Sequence, residues 1–155
     1  MASTKSELKT LKRAARLLER EIKETGIDVL KDPEMMIQML QYKIALLPYE
    51  VFCCLALNDK NQLLDFSILF NGTSDSCAVY PKEVLRYVLE LPQYKNVKKL
   101  VLAHQHPSFF KEPSDTDIRL TRKLETALSA IEISVADHIV ISGDDHTSLR
   151  ERGLI

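Results

Sequence analysis

Residues 98–120, KKLVLAHQHPSFFKEPSDTDIRL, decide the fold. The run from Lys98 to Ala103 (KKLVLA) is short and aliphatic after its two lysines, which predicts a buried strand delivering the chain to His104. Further on, Ser114 follows Pro113 and stands where an N-cap belongs. Beyond it Ile118, Leu120, Leu124, Leu128 and Ile131 recur at helical spacing. A strand that passes through a loop into a capped helix is the repeating step of an α/β domain.

The flanking sequence extends that pattern. Downstream, His138 to Ser142 reads as another strand. Upstream, Val51 to Leu57 (VFCCLAL) is a nearly continuous apolar run, the signature of a strand buried on both faces. A turn at Asn58 to Asn61 returns the chain into Leu63 to Phe70 as a hairpin, and Asn71 and Gly72 punctuate its end. Pro81 opens a helix with Val84, Leu85, Val88, Leu89 and Leu91 on its buried stripe, and Pro92 closes it. Asp32 and Pro33 read as N-cap and first residue of a helix carrying Met35, Met36, Met39, Leu40 and Ile44 toward Leu47. From Ser3 to Thr25, Leu8, Leu11, Ala15, Leu18 and Ile22 mark one stripe of a further helix, which Gly26 stops. The order helix, helix, strand, strand, helix, strand, helix, strand predicts a mixed β-sheet flanked by helices.

Composition limits the function classes. A chain of 155 residues, 45% apolar and 28% charged, fits one globular domain with a single packed core. The net charge of −1 supplies no overall basic field for nucleic acid. The first helix does carry a basic face of Lys5, Lys9, Lys12, Arg13, Arg16, Arg20 and Lys23, read first as a solvated surface and second as a DNA or partner contact. No run of about eighteen apolar residues exists, and the start lacks the apolar segment of a secretory signal, so no membrane association and a cytoplasmic location are expected. Cys53, Cys54 and Cys77 are odd in number and contain no C-x-x-C pair, which points to reduced, buried thiols.

The chemistry is concentrated between Ala103 and Asp117. His104 and His106, one residue apart at a strand end, reach a single ion if the backbone curls as it leaves the sheet, and Pro107 restricts that exit. Asp117, one turn into the next helix, points back over the helix start. Two imidazoles and a carboxylate, with a fourth position left to water, make the ligand set of catalytic zinc. Such an ion lowers the pKa of its water to about 7, a carboxylate takes the proton, and a serine hydroxyl stabilises the oxyanion. S-x-x-D is also a capping-box pattern, in which Ser114 and Asp117 satisfy backbone amides. Capping leaves His104 and His106 unexplained, since paired polar rings at the end of a buried strand are costly without partners. His138 reads as a core histidine with hydrogen-bond partners and no metal role, and His146 as solvent-exposed.

The string His104-x-His106, Ser114, Asp117 matches the H-x-H-x7-S-x-x-D signature of the JAMM (MPN+) metalloprotease family at every signature position. LVLAHQHPS, PSDTD, DHIVIS from Asp137, SLRERGLI from Ser148 and NGTSDSCAVYPKEVL from Asn71 resemble its RadC-like bacterial branch, so the similarity spans about residues 45–155. The resemblance implies a three-layer α-β-α sandwich of the cytidine-deaminase-like kind over residues 31–155, preceded by an amphipathic helix within residues 1–30. It further implies one Zn2+ on His104, His106 and Asp117, with Glu50 in YEVFCCLAL as general base and Ser114 as oxyanion partner. Unlike most of that branch, which has glycine after H-P-S, this chain has Phe109 and Phe110, expected to pack onto the domain's own surface.

The activity so implied is that of a zinc metallopeptidase-like hydrolase acting on a peptide or protein substrate. Two other readings come from different classes. One is a DNA-associated accessory protein, from the branch's historical DNA-repair label and its occurrence on mobile elements. The other is a metal-bearing but inactive interaction module, paired through its first helix as a homodimer.

Overall fold

A computed structural model of the chain describes residues 4–155. The expected start of the first helix at Ser3 lies outside the described residues. Helix α1 covers Lys5–Thr25, with Thr4 as its cap in a reciprocal box with Glu7. It ends at Gly26 in the left-handed region (φ +62), where a residue without Cβ adopts the turn freely. Helix α2 is Glu34–Ile44, α3 is Pro81–Glu90 and α4 is Asp115–Ser129. Strands β1 (Val51–Leu57), β2 (Leu63–Asn71), β3 (Lys99–Gln105), β4 (Ser134–Ser142) and β5 (Asp145–Ser148) form one sheet in the order β2-β1-β3-β4-β5. The sheet is mixed: β3 and β4, joined through α4, run parallel, and the other neighbouring pairs are antiparallel.

Helices cover both faces, which gives the three layers expected. Side chains alternate along a strand, so β1 feeds two cores at once. Val51, Cys53, Leu55 and Leu57 pack with Ile22, Met36, Met39, Leu40 and Ile44 from α1 and α2. Phe52, Cys54 and Ala56 pack with Val84, Val88, Leu124 and Leu128 from α3 and α4. Cys53 and Cys54 are thus free thiols on opposite faces, and burial pushes both toward the protonated form. Removing one of these buried side chains, as in Leu128→Ala, costs about 2–5 kcal/mol through lost burial and the cavity left behind.

Several boundaries differ from the sequence reading: β3 runs on through Gln105, and α4 stops at Ser129, short of Ile131. Pro33 is the N-cap of α2 and Glu34 its first residue, and Asp32 makes no cap bond. Asp28 upstream takes the neighbouring backbone N–H groups of Leu30 and Lys31 instead. Helix α2 stops at Ile44, short of Leu47. Strand β4 starts at Ser134, ahead of His138, because pairing with β3 begins at Lys99. Strand β5 was not foreseen: its DHTS sequence has no apolar alternation, and it forms because the Gly143 turn folds it back onto β4. Half-buried His146 consequently lies in a strand, not in an exposed turn.

On α1 only Ala15 and Ile22 of the predicted stripe are buried. Residues 4–10, Leu8 included, are exposed, so the basic face is solvated as expected. Among the described residues, no helix is long and apolar enough to cross a membrane.

Candidate metal centre

Strand parity places the first ligand candidate. Leu100 and Leu102 of β3 face the α3/α4 core, so His104 faces α4 and Gln105 the opposite side. His106 lies beyond the strand, yet its N–H still donates to the Ile141 carbonyl at 2.9 Å, which holds the curl before Pro107. From the other side, Ser114 caps α4. Its Oγ accepts from the Asp117 N–H at 3.0 Å, and Asp117 Oδ2 accepts from the Ser114 N–H at 2.8 Å. That same Oδ2 lies 3.4 Å from His104 Nε2 and 3.7 Å from His106 Nε2, with the two nitrogens 3.1 Å apart. Capping and convergence on the histidines are therefore one arrangement: the cap fixes the carboxylate where it meets both rings.

The donor set fits a metal ion. Tetrahedral bonds of about 2.0–2.1 Å put neighbouring ligand atoms about 3.3–3.4 Å apart, and the three separations here bracket that spacing. His106 Nδ1 donates to the Phe110 carbonyl, which leaves Nε2 as the lone-pair nitrogen facing the cluster. His104, His106 and Asp117 can thus bind one metal ion together. Burial by itself raises the Asp117 pKa, but the adjacent His104 and His106 rings hold its carboxyl far below the usual carboxylate range. The Asp117 carboxylate raises His106 against the opposing effect of burial, with help from the Phe110 carbonyl. The carboxylate thus favours the protonated form of His106.

Glu50 immediately precedes β1 and lines the same cleft, of about 460 Å³, as His106, Phe110, Ser114 and Asp117. Burial raises its pKa, positive charge on His104 and His106 opposes that, and Asp117 and Asp75 add to it, for a net rise. Its backbone is gripped from two directions. The Glu50 N–H donates to Thr73 and its carbonyl accepts from Gly72, each at 2.7 Å. At Gly72 an added Cβ would lie 2.0 Å from the Ser76 carbonyl oxygen, so only glycine lets this loop close over Glu50. Across the sheet, the buried Gln105 side chain bonds the backbone of Val51 and Tyr49, the two neighbours of Glu50.

Glu50, His106, Ser114 and Asp117 line one cleft, and buried His104 joins them from behind through its approach to Asp117 and His106. Ser114 Oγ accepts the Asp117 amide while its own hydroxyl hydrogen stays available to donate. Phe109 and Phe110 meet the expectation only in part: each touches the body on one side, Phe109 at Gly143 and Phe110 stacked on the His106 ring, yet both stay 61% exposed. The Phe110 carbonyl is bonded to His106, and Phe109, at φ +60, turns with its ring edge against Gly143, so the loop carries both rings outward. Cys77 borders the cleft as a free cysteine whose burial pushes its thiol up.

His138 is a buried, hydrogen-bonded core histidine, as read from the sequence. Its Nε2 lies 2.8 Å from His104 Nδ1 and its Nδ1 lies 2.6 Å from Thr121 Oγ1. Burial holds its pKa well below the usual histidine value, and positive charge on His104 acts in the same direction. Sequence reasoning missed Gln105 and Thr121. Both leave a trace there, since a residue between two same-face histidines must face the other way, and Thr121 stands one helical turn after Asp117.

Comparison with known proteins gives the family. Residues 30–154 match the model of a family described as the RadC-like JAB domain. A UPF0758 protein of Alcanivorax borkumensis is 43% identical over 126 residues, covering 81% of this chain and 54% of the relative. One from Marinobacter nauticus is 41% identical over 128 residues, 83% of this chain and 55% of its own length. One from Shewanella sp. (strain ANA-3) is 37% identical over 150 residues, 97% of this chain and 64% of its own length. The chain thus spans between about half and two thirds of the length of these relatives. The match over most of its residues, together with the His104, His106 and Asp117 cluster, establishes that the chain belongs to the RadC-like JAB domain family.

Proposed function

We propose that the chain is a zinc-dependent hydrolase that cleaves a peptide or isopeptide bond in a protein substrate. The observation that carries this reading is the convergence of His104 Nε2, His106 Nε2 and Asp117 Oδ2 at 3.1–3.7 Å beside the cleft that Glu50 lines. Two nitrogens and one oxygen are the ligand set of zinc sites that keep a position open. Zinc held there supplies Lewis acidity and brings the pKa of water to about 7.

The chain's own residues supply the rest. Glu50, with its pKa raised by burial, is suited to take a proton from attacking water and return it to the departing amine. The Ser114 hydroxyl donates to the oxygen on which negative charge develops. The Gln105 contacts and the Gly72 loop hold Glu50 from both sides, so the base does not have to be ordered during reaction. The exposed Phe110 ring, which lines the cleft, offers an apolar surface to a substrate side chain.

The test pairs zinc content with turnover of a peptide library. Glu50→Gln should keep its zinc and lose turnover by at least about a hundredfold; turnover equal to wild type would remove Glu50 from the mechanism. A second reading, association with DNA, is supported by the exposed basic face of α1. It requires binding that weakens steeply with salt and when Arg13, Arg16 and Arg20 are neutralised.

A further inference from the structure

Behind the cluster, four groups form one continuous hydrogen-bonded chain. His104 Nδ1 lies 2.8 Å from His138 Nε2, His138 Nδ1 lies 2.6 Å from Thr121 Oγ1, and Thr121 Oγ1 donates to the Asp117 carbonyl at 2.7 Å. Its direction can be worked out from the far end. A carbonyl only accepts, so the single Thr121 hydroxyl hydrogen is committed to Asp117. Thr121 Oγ1 must then accept from His138, whose Nδ1 carries the proton. His138 is fully buried, with the Phe52 ring edge-on at 5.8 Å, and a neutral imidazole has a single N–H. Its Nε2 is therefore an acceptor and takes the Nδ1–H of His104. That leaves the His104 lone pair on Nε2, the atom that faces His106 and Asp117.

From this geometry we infer that Thr121 and His138 are positioning residues that set the tautomer of His104, and with it the affinity of the centre for its metal. The inference rests on the reading that His104 is a ligand. The reverse direction would place an N–H on His104 Nε2, where it blocks coordination. It would also take the Thr121 hydroxyl away from the Asp117 carbonyl. The chain starts at one ligand and ends on the backbone of another, so α4 holds the carboxylate of Asp117 over the site and, through Thr121, keeps His104 in its coordinating form. Thr121 also lies within a helix and is fully buried, a poor place for a hydroxyl unless both of its bonds are made.

The test uses the full chain and zinc as the probe. Thr121→Val keeps the side-chain shape and removes the acceptor for His138. Zinc affinity, measured by competition with a chromophoric chelator, should fall about 10–100-fold, and Thr121→Ser should restore it. The imidazole nitrogen NMR spectrum of wild-type, zinc-loaded protein should show His138 as the Nδ1–H tautomer, a readout that stands even if Thr121→Val fails to fold. Wild-type affinity in Thr121→Val, or an Nε2–H proton on His138, would overturn the inference and leave the ligand assignment intact. A wild-type chain that takes up no zinc would overturn both.

Discussion

Gln105 holds the backbone on either side of Glu50: its side-chain oxygen accepts from the Val51 N–H at 2.9 Å and its amide donates to the Tyr49 carbonyl at 2.5 Å. The residue lies between His104 and His106 but faces the other side of the sheet. One strand end thus sets the two histidines and the neighbouring carboxylate in fixed relation. Gln105→Leu leaves the buried Val51 N–H unpaired and should lower unfolding free energy by about 1–3 kcal/mol in denaturant titrations. Turnover should fall while zinc content stays at the wild-type level, because both imidazoles keep their own supports. Unchanged stability and turnover would show that Glu50 is held by the Gly72 loop alone.

Ser114 has two separable duties. As the cap of α4 it satisfies the Asp117 amide, and in the proposed mechanism its hydroxyl serves the developing oxyanion. Ser114→Ala should cost about 1 kcal/mol of stability, whereas Ser114→Gly, a tolerated cap, should cost only a few tenths. Both variants lack the hydroxyl, so both should lose about 10²–10³ in kcat. Rate losses that followed the stability losses would assign Ser114 to capping alone.

The pH dependence of the metal-free protein follows from the His106 and Asp117 pair. Asp117 titrates below its ordinary value of 3.8, so its contribution to stability is present above 3.8 and is lost as pH falls through the lowered folded value. His106 titrates above its ordinary 6.5, so its contribution is complete below 6.5 and disappears as pH rises through the raised value. In chelator-treated protein, the difference in Tm between wild type and Asp117→Asn should be greatest between 3.8 and 6.5 and shrink on the alkaline side. A difference that grew from 6.5 upward would contradict the pairing. On the proposed coordination, zinc would displace the His106 proton, so its affinity should rise with pH over the same alkaline range.

The sheet and its two helical layers were legible because β1 is uniformly apolar, β3 is apolar from Leu100 to Ala103, and α3 and α4 carry regular stripes bounded by Pro81, Pro92 and Ser114. Strand β5 was not, because its polar DHTS sequence is ordered by pairing with β4 rather than by any pattern of its own. His104, His106, Ser114 and Asp117 could be singled out from their spacing, Glu50 only through the family resemblance, and strand parity explains why His104 meets α4. Two further facts depend on tertiary contact. A signature with two readings, cap or ligand, turned out to be one geometry, because Asp117 Oδ2 takes the Ser114 amide and faces the histidines at once. The exposure of Phe109 and Phe110 was missed because general hydrophobicity favours burial, whereas here the His106 bond to the Phe110 carbonyl sets the direction of the loop.

Zinc stoichiometry across four purified proteins tests the central claim most directly. Wild type and Glu50→Gln should each hold about one zinc per chain, while His104→Ala and Asp117→Ala, folded by circular dichroism, should hold none after dialysis against a weak chelator. Full zinc retention by folded Asp117→Ala, or no zinc in the wild-type chain after incubation with the ion, would contradict it.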